Sequence, residues 1–449
     1  MTLALIILAA GKGTRMKSDL PKVLHKIAGA PMIVHAIEAG AALEPARTIV
    51  VTGHGADQVK SVVQAHAPFA DIVLQTAQLG TAHAVGQARD ALAGFDGDAV
   101  VLYGDTPFIT AATLTRMAEA RTRADVVVLG FEAADPGRYG RLVTEGDRLQ
   151  RIVEYKDASA AELGIKLCNS GVVMADAGTL FGLIDAVNNN NASKEYYLTD
   201  IVAIANTRGL TATTVSCPEA ETMGIDSRSA LARAEALFQA RTRVTLLEKG
   251  ITMQAPDTVW FSFDTSVGRD AVIEPHVVFG PGVTVQSGAT IRAFSHLEGC
   301  HVEGGAIVGP YARIRPGSRI GREARVGNFV ETKNADLGPG AKINHLSYVG
   351  DASVGARSNI GAGTITCNYD GVLKHRTEIG EAAFIGTNTA LVAPVRIGDE
   401  AMTAAGSVIT KDVPDGALAI SRTDQATLPD VARRKHKRLL AQKAQQSKI

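Results

Sequence analysis

A glycine loop with cations behind it opens the chain: Leu8-Ala9-Ala10-Gly11-Lys12-Gly13-Thr14-Arg15-Met16 runs on to Pro21-Lys22. Backbone N–H groups of small residues approach phosphate oxygens closely, and Arg15 and Lys22 supply countercharge, so the stretch suits a phosphate-bearing substrate. It fits neither standard fingerprint, because Met16 stands where a dinucleotide fold needs glycine and Gly13 where a P-loop needs Ser or Thr. Taken alone, the loop is equally an ordinary turn from strand to helix. Farther on, Gln75 leads into Gln78-Leu79-Gly80-Thr81, and Asp105 follows the apolar run Ala99 to Gly104. A carboxylate at a strand tip can hold Mg2+ with substrate phosphates, since that ion keeps waters and needs few protein ligands; it can also simply close an Asx turn. A second group lies in the last third. His345 follows Lys333 by 12 residues, Lys333 follows Arg315 by 18, and Arg313 and Tyr348 are close by. Alone, such a histidine is a solvated surface residue. In cationic company it suits proton abstraction near neutral pH beside an anionic substrate.

Two kinds of element must carry these groups. In the first half, strand-like runs (Thr48 to Thr52, Ile72 to Gln75, Ala99 to Tyr103, Asp125 to Gly130) alternate with helix-like segments such as Met32 to Gly40 and Ala82 to Leu92. This predicts βαβ units on a mainly parallel sheet, whose ligands bind at the carboxyl ends of strands. From Val267 to Ile409 an apolar residue instead returns at every sixth position: Val267, Ile273, Phe279, Val285, Ile291, Leu297, then in resumed phases from Val308, Leu337, Val354 and Ile379. A sustained period of six predicts a parallel β-helix, each hexad a short strand and a corner, three hexads to a coil, with coils stacked at roughly 4.8 Å. The glycine that often follows the repeat position is read as permitting the corner. Thirteen residues, Thr366 to Glu378, interrupt the repeat, and insertions in solenoids mark the functional face.

Composition sets outer bounds. At 449 residues, 46% of them hydrophobic, the chain can bury two cores, with a boundary at Asp226 to Gly250 around a helix-like segment, Ser227 to Lys249. Lys plus Arg equals Asp plus Glu at 46 each, so no global field draws it to nucleic acid or membrane. Cys168, Cys217, Cys300 and Cys367 lie far apart, which points to reduced thiols in the cytoplasm and away from zinc. The apolar opening Leu3 to Ala10 lacks a basic leader and reads as a buried strand. The tail from Val431 holds seven cations, Arg433 through Lys448, and no acid; it reads as a solvated end, with a role near coenzyme phosphates as the alternative.

The motifs LAAGKGTRM (8 to 16), LPKVLH (20 to 25), QLGTAHA (78 to 84), YGD (103 to 105), YGR (139 to 141), VEYKDA (153 to 158), NSG (169 to 171) and EYYLTD (195 to 200) together resemble the sugar-nucleotide pyrophosphorylases. Within them they resemble the bacterial bifunctional family that joins N-acetylglucosamine-1-phosphate uridyltransferase to glucosamine-1-phosphate N-acetyltransferase. The resemblance implies a Rossmann-like α/β nucleotidyltransferase domain. It implies nucleotide binding by Leu8, Ala9, Gly11, Lys22, Gln75, Gly80, Thr81 and Tyr103, sugar contacts from Gly140, Glu154 and Asn169, catalytic roles for Arg15 and Lys22, and Mg2+ between Asp105 and Asp226. At 226 the family usually has asparagine, and aspartate brings an extra charge beside phosphates; its other reading is a helix cap.

ARIRPG (312 to 317), VGNFVETKNA (326 to 335), HLSYVGD (345 to 351), NIGAGTITCNYDG (359 to 371) and LVAPVRIG (391 to 398) resemble the left-handed hexapeptide acyltransferases and the same bifunctional family. The left hand comes from that resemblance. It implies that Arg315, Lys333, Tyr348 and Asn359 hold an amino-sugar phosphate, that His345 is the general base, and that Ala362, Asn368, Tyr369, Thr387, Ala405 and Arg422 contact acetyl-CoA. Thr387 replaces a common serine, and Asn334 and Asn344 replace lysine and glycine. The expected domains are thus a pyrophosphorylase at 1–226, a linker helix at 227–250, and a left-handed parallel β-helix N-acetyltransferase with a basic tail at 251–449. The expected product is UDP-N-acetylglucosamine, a cell-wall precursor, made from glucosamine-1-phosphate, acetyl-CoA and UTP by a cytoplasmic homotrimer. Rival readings are a monofunctional pyrophosphorylase whose prism only assembles, and a non-enzymatic scaffold, which has to explain Asp105, Lys22 and the glycine loop together.

Overall fold

The computed structural model describes residues 2–446. The chain divides into two compact units: one runs to Thr245 and takes in Phe261–Phe263, the other holds Leu246–Trp260 and continues from Asp264.

The first unit is built on β1 (Leu3–Ala9), β2 (Arg47–Thr52), β3 (Asp71–Leu74), β4 (Asp98–Tyr103), β5 (Val126–Glu132), β6 (Arg141–Glu145), β7 (Arg148–Val153), β8 (Leu167–Asp176) and β9 (Ala212–Cys217). They form one sheet in the order β3-β2-β1-β4-β8-β5-β9-β7-β6. Every residue of β1 is buried. A strand covered on both faces reads as an unbroken apolar run. Ala4, Ile6 and Leu8 enter one core layer and Leu3, Leu5, Ile7 and Ala9 the other. The expected mainly parallel sheet is corrected to a mixed one. β3, β2, β1 and β4 run parallel, whereas β8 lies antiparallel to β4 and β5, and the hairpin β6–β7 is antiparallel. The expected helix Ala82 to Leu92 is Thr81–Gly86 followed by a separate 3-10 turn, Asp90–Leu92; glycine at 86 weakens a helix interior.

Ser227 caps the helix Arg228–Glu248, its Oγ accepting from Ala230 N at 3.3 Å, and Gly250 at φ +84° ends it. This helix, expected as a linker, belongs to the first unit through Thr245. Ala230 and Ala234 pack with Ile27, Met32, Phe108 and Ile225. Gln239, 1% exposed, donates to Phe261 O at 2.7 Å and accepts from Phe261 N at 2.9 Å, which holds Phe261–Phe263 in the same unit.

In the second unit short parallel strands stack in register. One ladder passes through Thr252–Met253, Val272–Ile273, Thr290–Ile291, Ile307–Val308, Arg325–Asn328, Lys342–His345 and Asn359–Ile360. The stack therefore begins at Thr252, and Trp260 lies inside its first coil, bridged to Val278. The hexad residues point inward, as Ile273, Ile291, Val308, Val326 and Ile343, all buried, illustrate. Three breaks in the apolar phase close at Val302, Thr332 and Thr366, which are buried in strands. Five-residue spacings and inward threonines hid them. Thr366 thus belongs to the core, and the insertion narrows to the residues between strands Ile365–Cys367 and Thr377–Ile379.

The glycines after the repeat position serve close approach of coils, which corrects the corner reading. A Cβ on Gly327 would stand 2.0 Å from Asn344 O, and on Gly321 2.4 Å from Leu337 O. Left-handed corners fall at other positions, glycines such as Gly282 and Gly288 among them, and along one edge at His276, Phe294, Tyr311, Phe329 and Leu346, at φ between 49° and 59°. The first four rings stack at centroid spacings of 4.8, 4.9 and 5.4 Å. The four cysteines are unpaired. The tail forms the helix Val431–Gln446 with no buried residue, and Lys448 lies outside the described residues. Among the described residues, no helix is long and apolar enough to cross a membrane.

Candidate active sites

At the carboxyl ends of β1 and β4 a cavity of about 380 Å³ is walled by Leu8, Ala9, Gly11, Lys22, Gln75, Gly80, Thr81, Tyr103 and Asp105, together with Gln78 and Glu195. All eight residues expected at the nucleotide share this wall with Asp105. Two glycines make it possible. A Cβ on Gly13, at φ +60°, would stand 2.5 Å from Lys22 Cβ; one on Gly80, at φ +124°, would stand 2.5 Å from Tyr196 O. Gln75 donates to Gly80 O at 3.2 Å, and Gln78 reaches Ala10 O at 2.7 Å. These bonds hold the strap 75–80 against the glycine loop.

Lys22 Nζ is paired with Asp105 Oδ2, and Arg15 Nη1 lies 2.6 Å from Asp226 Oδ2. Ile225 N donates to Asp105 O at 3.0 Å, so the two aspartates are on adjoining backbone. The additional charge of aspartate at 226 is offset by Arg15, and Ser227 does the capping. Among the described residues, no three His, Cys, Asp or Glu side chains form a metal cluster. Two carboxylates are nevertheless what Mg2+ needs when phosphates and water complete its shell. The donor set fits.

Tyr103 also lines a narrow cleft with Asn169 and Thr199, which joins the sugar-side residues to the nucleotide cavity. Burial pushes the Tyr103 hydroxyl pKa well up. Asn169 N donates to Gly140 O at 2.9 Å, and Glu154 accepts from Thr199 Oγ1 at 3.2 Å, its own pKa raised by burial. Arg141 of the YGR motif is buried, with its guanidinium on the carbonyls of Tyr139 and Gly137; it fixes the loop.

In the second unit one corner carries a ladder. Leu346 N donates to Asn328 O at 3.1 Å, Gly363 N to His345 O at 3.4 Å, Asn388 N to Ala362 O at 2.8 Å, and Gly406 N to Thr387 O at 2.8 Å. Arg422 Nη1 donates to Ala405 O at 2.8 Å. Asn328, His345, Ala362, Thr387, Ala405 and Arg422 thus follow one another along a single edge, one coil at a time. His345 Nδ1 lies 2.8 Å from Asn328 Oδ1. An amide oxygen only accepts, so the neutral ring carries its proton on Nδ1 and leaves Nε2 as a base. His345 and Asn328 also line a cavity of about 320 Å³.

Just past this corner, Arg315 Nη1 pairs with Glu331 Oε1 at 2.9 Å and Lys333 Nζ with Asp351 Oδ2 at 3.3 Å, while Glu331 is in register with Tyr348 and Lys333 with Gly350. Burial pushes the Asp351 carboxyl up, but hydrogen bonds from Asn334, Asn368 and Lys333 hold it below its ordinary value. Asn359 sits on the preceding face, in register with Lys342. Tyr369, on the inserted hairpin, is exposed and donates to Gly371 O.

A MobA-like NTP transferase domain matches residues 5–163. A bifunctional protein GlmU of Ruegeria sp. (strain TM1040) is 65% identical over 448 residues, all of both chains. One from Ruegeria pomeroyi is 64% identical over 448 residues, again all of both, and one from Jannaschia sp. (strain CCS1) is 63% identical over 99% of this chain and 98% of its own. The chain belongs to the GlmU family of bifunctional proteins. Among solved structures, a UDP-glucose pyrophosphorylase complexed with UDP-glucose aligns at TM-score 0.43 and 17% identity over 54% of this chain and all of its own.

The company that spacing alone suggested for His345 is corrected: its neighbour in register is Asn328, because the coil here is 17 residues long. That spacing was the signal that could have found Asn328. Lys374, passed over in the inserted sequence, interacts with Lys333: a hydrogen bond to that side chain, and after it the charge of Lys333, hold the Lys374 ammonium below its ordinary pKa. Of the two departures left unexplained, Asn334 donates to Asp351 Oδ1 at 2.8 Å and so orients the partner of Lys333, and Asn344 lines the His345 cavity.

Proposed function

We propose that the chain acetylates glucosamine-1-phosphate with acetyl-CoA in its second unit and transfers UMP from UTP to the resulting N-acetylglucosamine-1-phosphate in its first, releasing pyrophosphate. The observation that carries the reading is the convergence of the glycine loop, the strap 75–81, Tyr103 and Asp105 on one cavity.

In that cavity the sugar phosphate attacks the α-phosphate of UTP. The glycine-loop amides hold the nucleotide, Arg15 and Lys22 take up phosphate charge as they turn from Asp226 and Asp105 toward substrate, and Gly140, Glu154 and Asn169 hold the sugar. Bound by Asp105 and Asp226 with UTP, Mg2+ would neutralise charge on the phosphates and fix their geometry. In the prism, Arg315, Lys333, Tyr348 and Asn359 hold the amino-sugar phosphate. His345 Nε2 takes the proton that the ammonium must lose before its nitrogen attacks the thioester carbonyl. The corner from Ala362 through Thr387 and Ala405 to Arg422 offers an extended track for the coenzyme, with Asn368 and Tyr369 beside it. Among the described residues, neither Ala362 N nor Thr387 N takes a backbone acceptor, which leaves an N–H for the oxyanion.

The reading extends to a left-handed prism, to a homotrimer with acetyl-CoA held between subunits, to a pyrophosphorylase domain in the first unit and an N-acetyltransferase domain in the second, and to a cytoplasmic setting. Incubation with glucosamine-1-phosphate, acetyl-CoA and UTP, with products identified by mass, tests it. UDP-N-acetylglucosamine, free CoA and pyrophosphate are expected; acetylation without nucleotide transfer, or the reverse, refutes it.

A further inference from the structure

Arg228 opens its helix two residues after Asp226, and its guanidinium reaches the phosphate loop. Nε donates to Met16 O at 3.3 Å and Nη1 to His25 Nδ1 at 3.2 Å. Met16 closes the turn Thr14–Met16, which carries Arg15, and His25 follows the turn Lys22–Leu24, which carries Lys22. One side chain therefore grips both segments from which the two cations of the nucleotide site project. The same short stretch places Ile225 N on Asp105 O and Asp226 on Arg15.

The histidine is specialised for this contact. A guanidinium never accepts, so Nδ1 must accept, which leaves the proton on Nε2. His25 is 4% exposed, so the ring is held among protein atoms and not turned to solvent. Burial, and after it the charge of Arg228, holds the imidazole pKa below its ordinary value against a backbone hydrogen bond to Leu20, which favours the neutral acceptor.

We propose that Arg228, acting through Met16 and His25, is a positioning residue for uridylyl transfer, setting the spacing of Arg15 and Lys22 from Asp105 and Asp226. The inference rests on the uridylyl-transfer reading above. The test is steady-state pyrophosphate release by the full chain carrying Arg228→Gln, Arg228→Lys, His25→Phe, or Arg228→Gln with His25→Phe. Misplacement of reacting groups by about 1 Å costs on the order of 10² in rate, so Arg228→Gln should lose about that much kcat with the KM for UTP changed less than about threefold. Arg228→Lys, a single point donor in place of a fork, should recover only part. The double variant should lose no more than the worse single one, because the two side chains act as a unit. Acetyl transfer by the same preparations should persist. The proposal is overturned by an Arg228→Gln kcat within about threefold of wild type, by losses that multiply in the double variant, or by a parallel fall of both activities, which would mark a merely structural contact. A wild-type chain that releases no pyrophosphate overturns this inference together with the reading beneath it, whereas a competent wild type with an unaffected Arg228→Gln overturns this inference alone.

Discussion

Asn328→Ala isolates the smallest part of the acetyl-transfer site that should still register in the rate. Asn328 Oδ1 lies 2.8 Å from His345 Nδ1 and would act on the reaction through that ring. A neutral hydrogen bond of this kind contributes about 0.5–1.5 kcal/mol net, and one to an ionised partner about 1.5–3 kcal/mol. As His345 takes the substrate's proton its ring becomes cationic, so the bond strengthens by roughly 1–1.5 kcal/mol between ground and transition state, and only that difference slows the chemical step. The expected loss in kcat is therefore about 5- to 13-fold. Loss of His345 itself should cost on the order of 10² to 10⁴. The assay is thiol release from acetyl-CoA at saturating glucosamine-1-phosphate. Asn328→Asp extends it, because a carboxylate beside the ring favours imidazolium and should move the acid limb of the pH–rate profile upward. An Asn328→Ala rate within about twofold of wild type, or one as low as that of His345→Ala, would refute the orienting role on this scale.

Asp105→Ala should abolish uridylyl transfer and leave acetyl transfer near normal; most of the nucleotidyl activity surviving at saturating Mg2+ would contradict the metal role. Glu154→Gln tests a sign. Burial raises the Glu154 pKa above its ordinary 4.5, so ionisation opposes folding: the penalty is absent below that value, grows as pH rises above it and levels off once pH has passed the folded pKa. The variant's thermal midpoint should gain on wild type as pH rises above 4.5, and a constant or shrinking gap would show that Glu154 is not destabilised as a carboxylate. Gly327→Ala forces a Cβ to within 2.0 Å of Asn344 O. The prism coils must part beside His345, so acetyl transfer should fall at least about fivefold, the kinetic equivalent of the low end of overpacking costs of about 1–3 kcal/mol; unchanged acetyl transfer would refute the close-approach account.

How much of this was legible in the sequence depended on whether one residue type admitted one environment. β1 was legible because an unbroken Leu-Ile run has no use except between two covered faces, and the prism because a period of six belongs to neither helix nor lone strand. The polarity of the sheet was not. The strand at Leu167–Asp176 looks alike in either direction, and its antiparallel pairing with two neighbours is a tertiary choice. Coil length failed for a similar reason. Thr332 and Thr366 are polar by type and buried by place, their hydroxyls bonded to Ser318 Oγ at 3.2 Å and Gly350 O at 3.0 Å, so an apolar count passed over them. With coil length misread, Lys333 and Arg315 were named as the company of His345 and Asn328 went unnoticed. Motif residues that line the nucleotide cavity were nameable. Residues that lie behind another side chain, such as Asp351 on Lys333 and Arg228 on His25, became visible only with geometry.

The central claim is that one chain holds two separate sites joined by a diffusible intermediate, and complementation tests it most directly. Asp105→Ala and His345→Ala proteins, each alone, are given glucosamine-1-phosphate, acetyl-CoA and UTP, and then the two are mixed. Asp105→Ala alone should stop at N-acetylglucosamine-1-phosphate, His345→Ala alone should yield neither that compound nor the nucleotide sugar, and the mixture should form UDP-N-acetylglucosamine. A mixture that forms none, although each variant retains its other activity, would contradict the account.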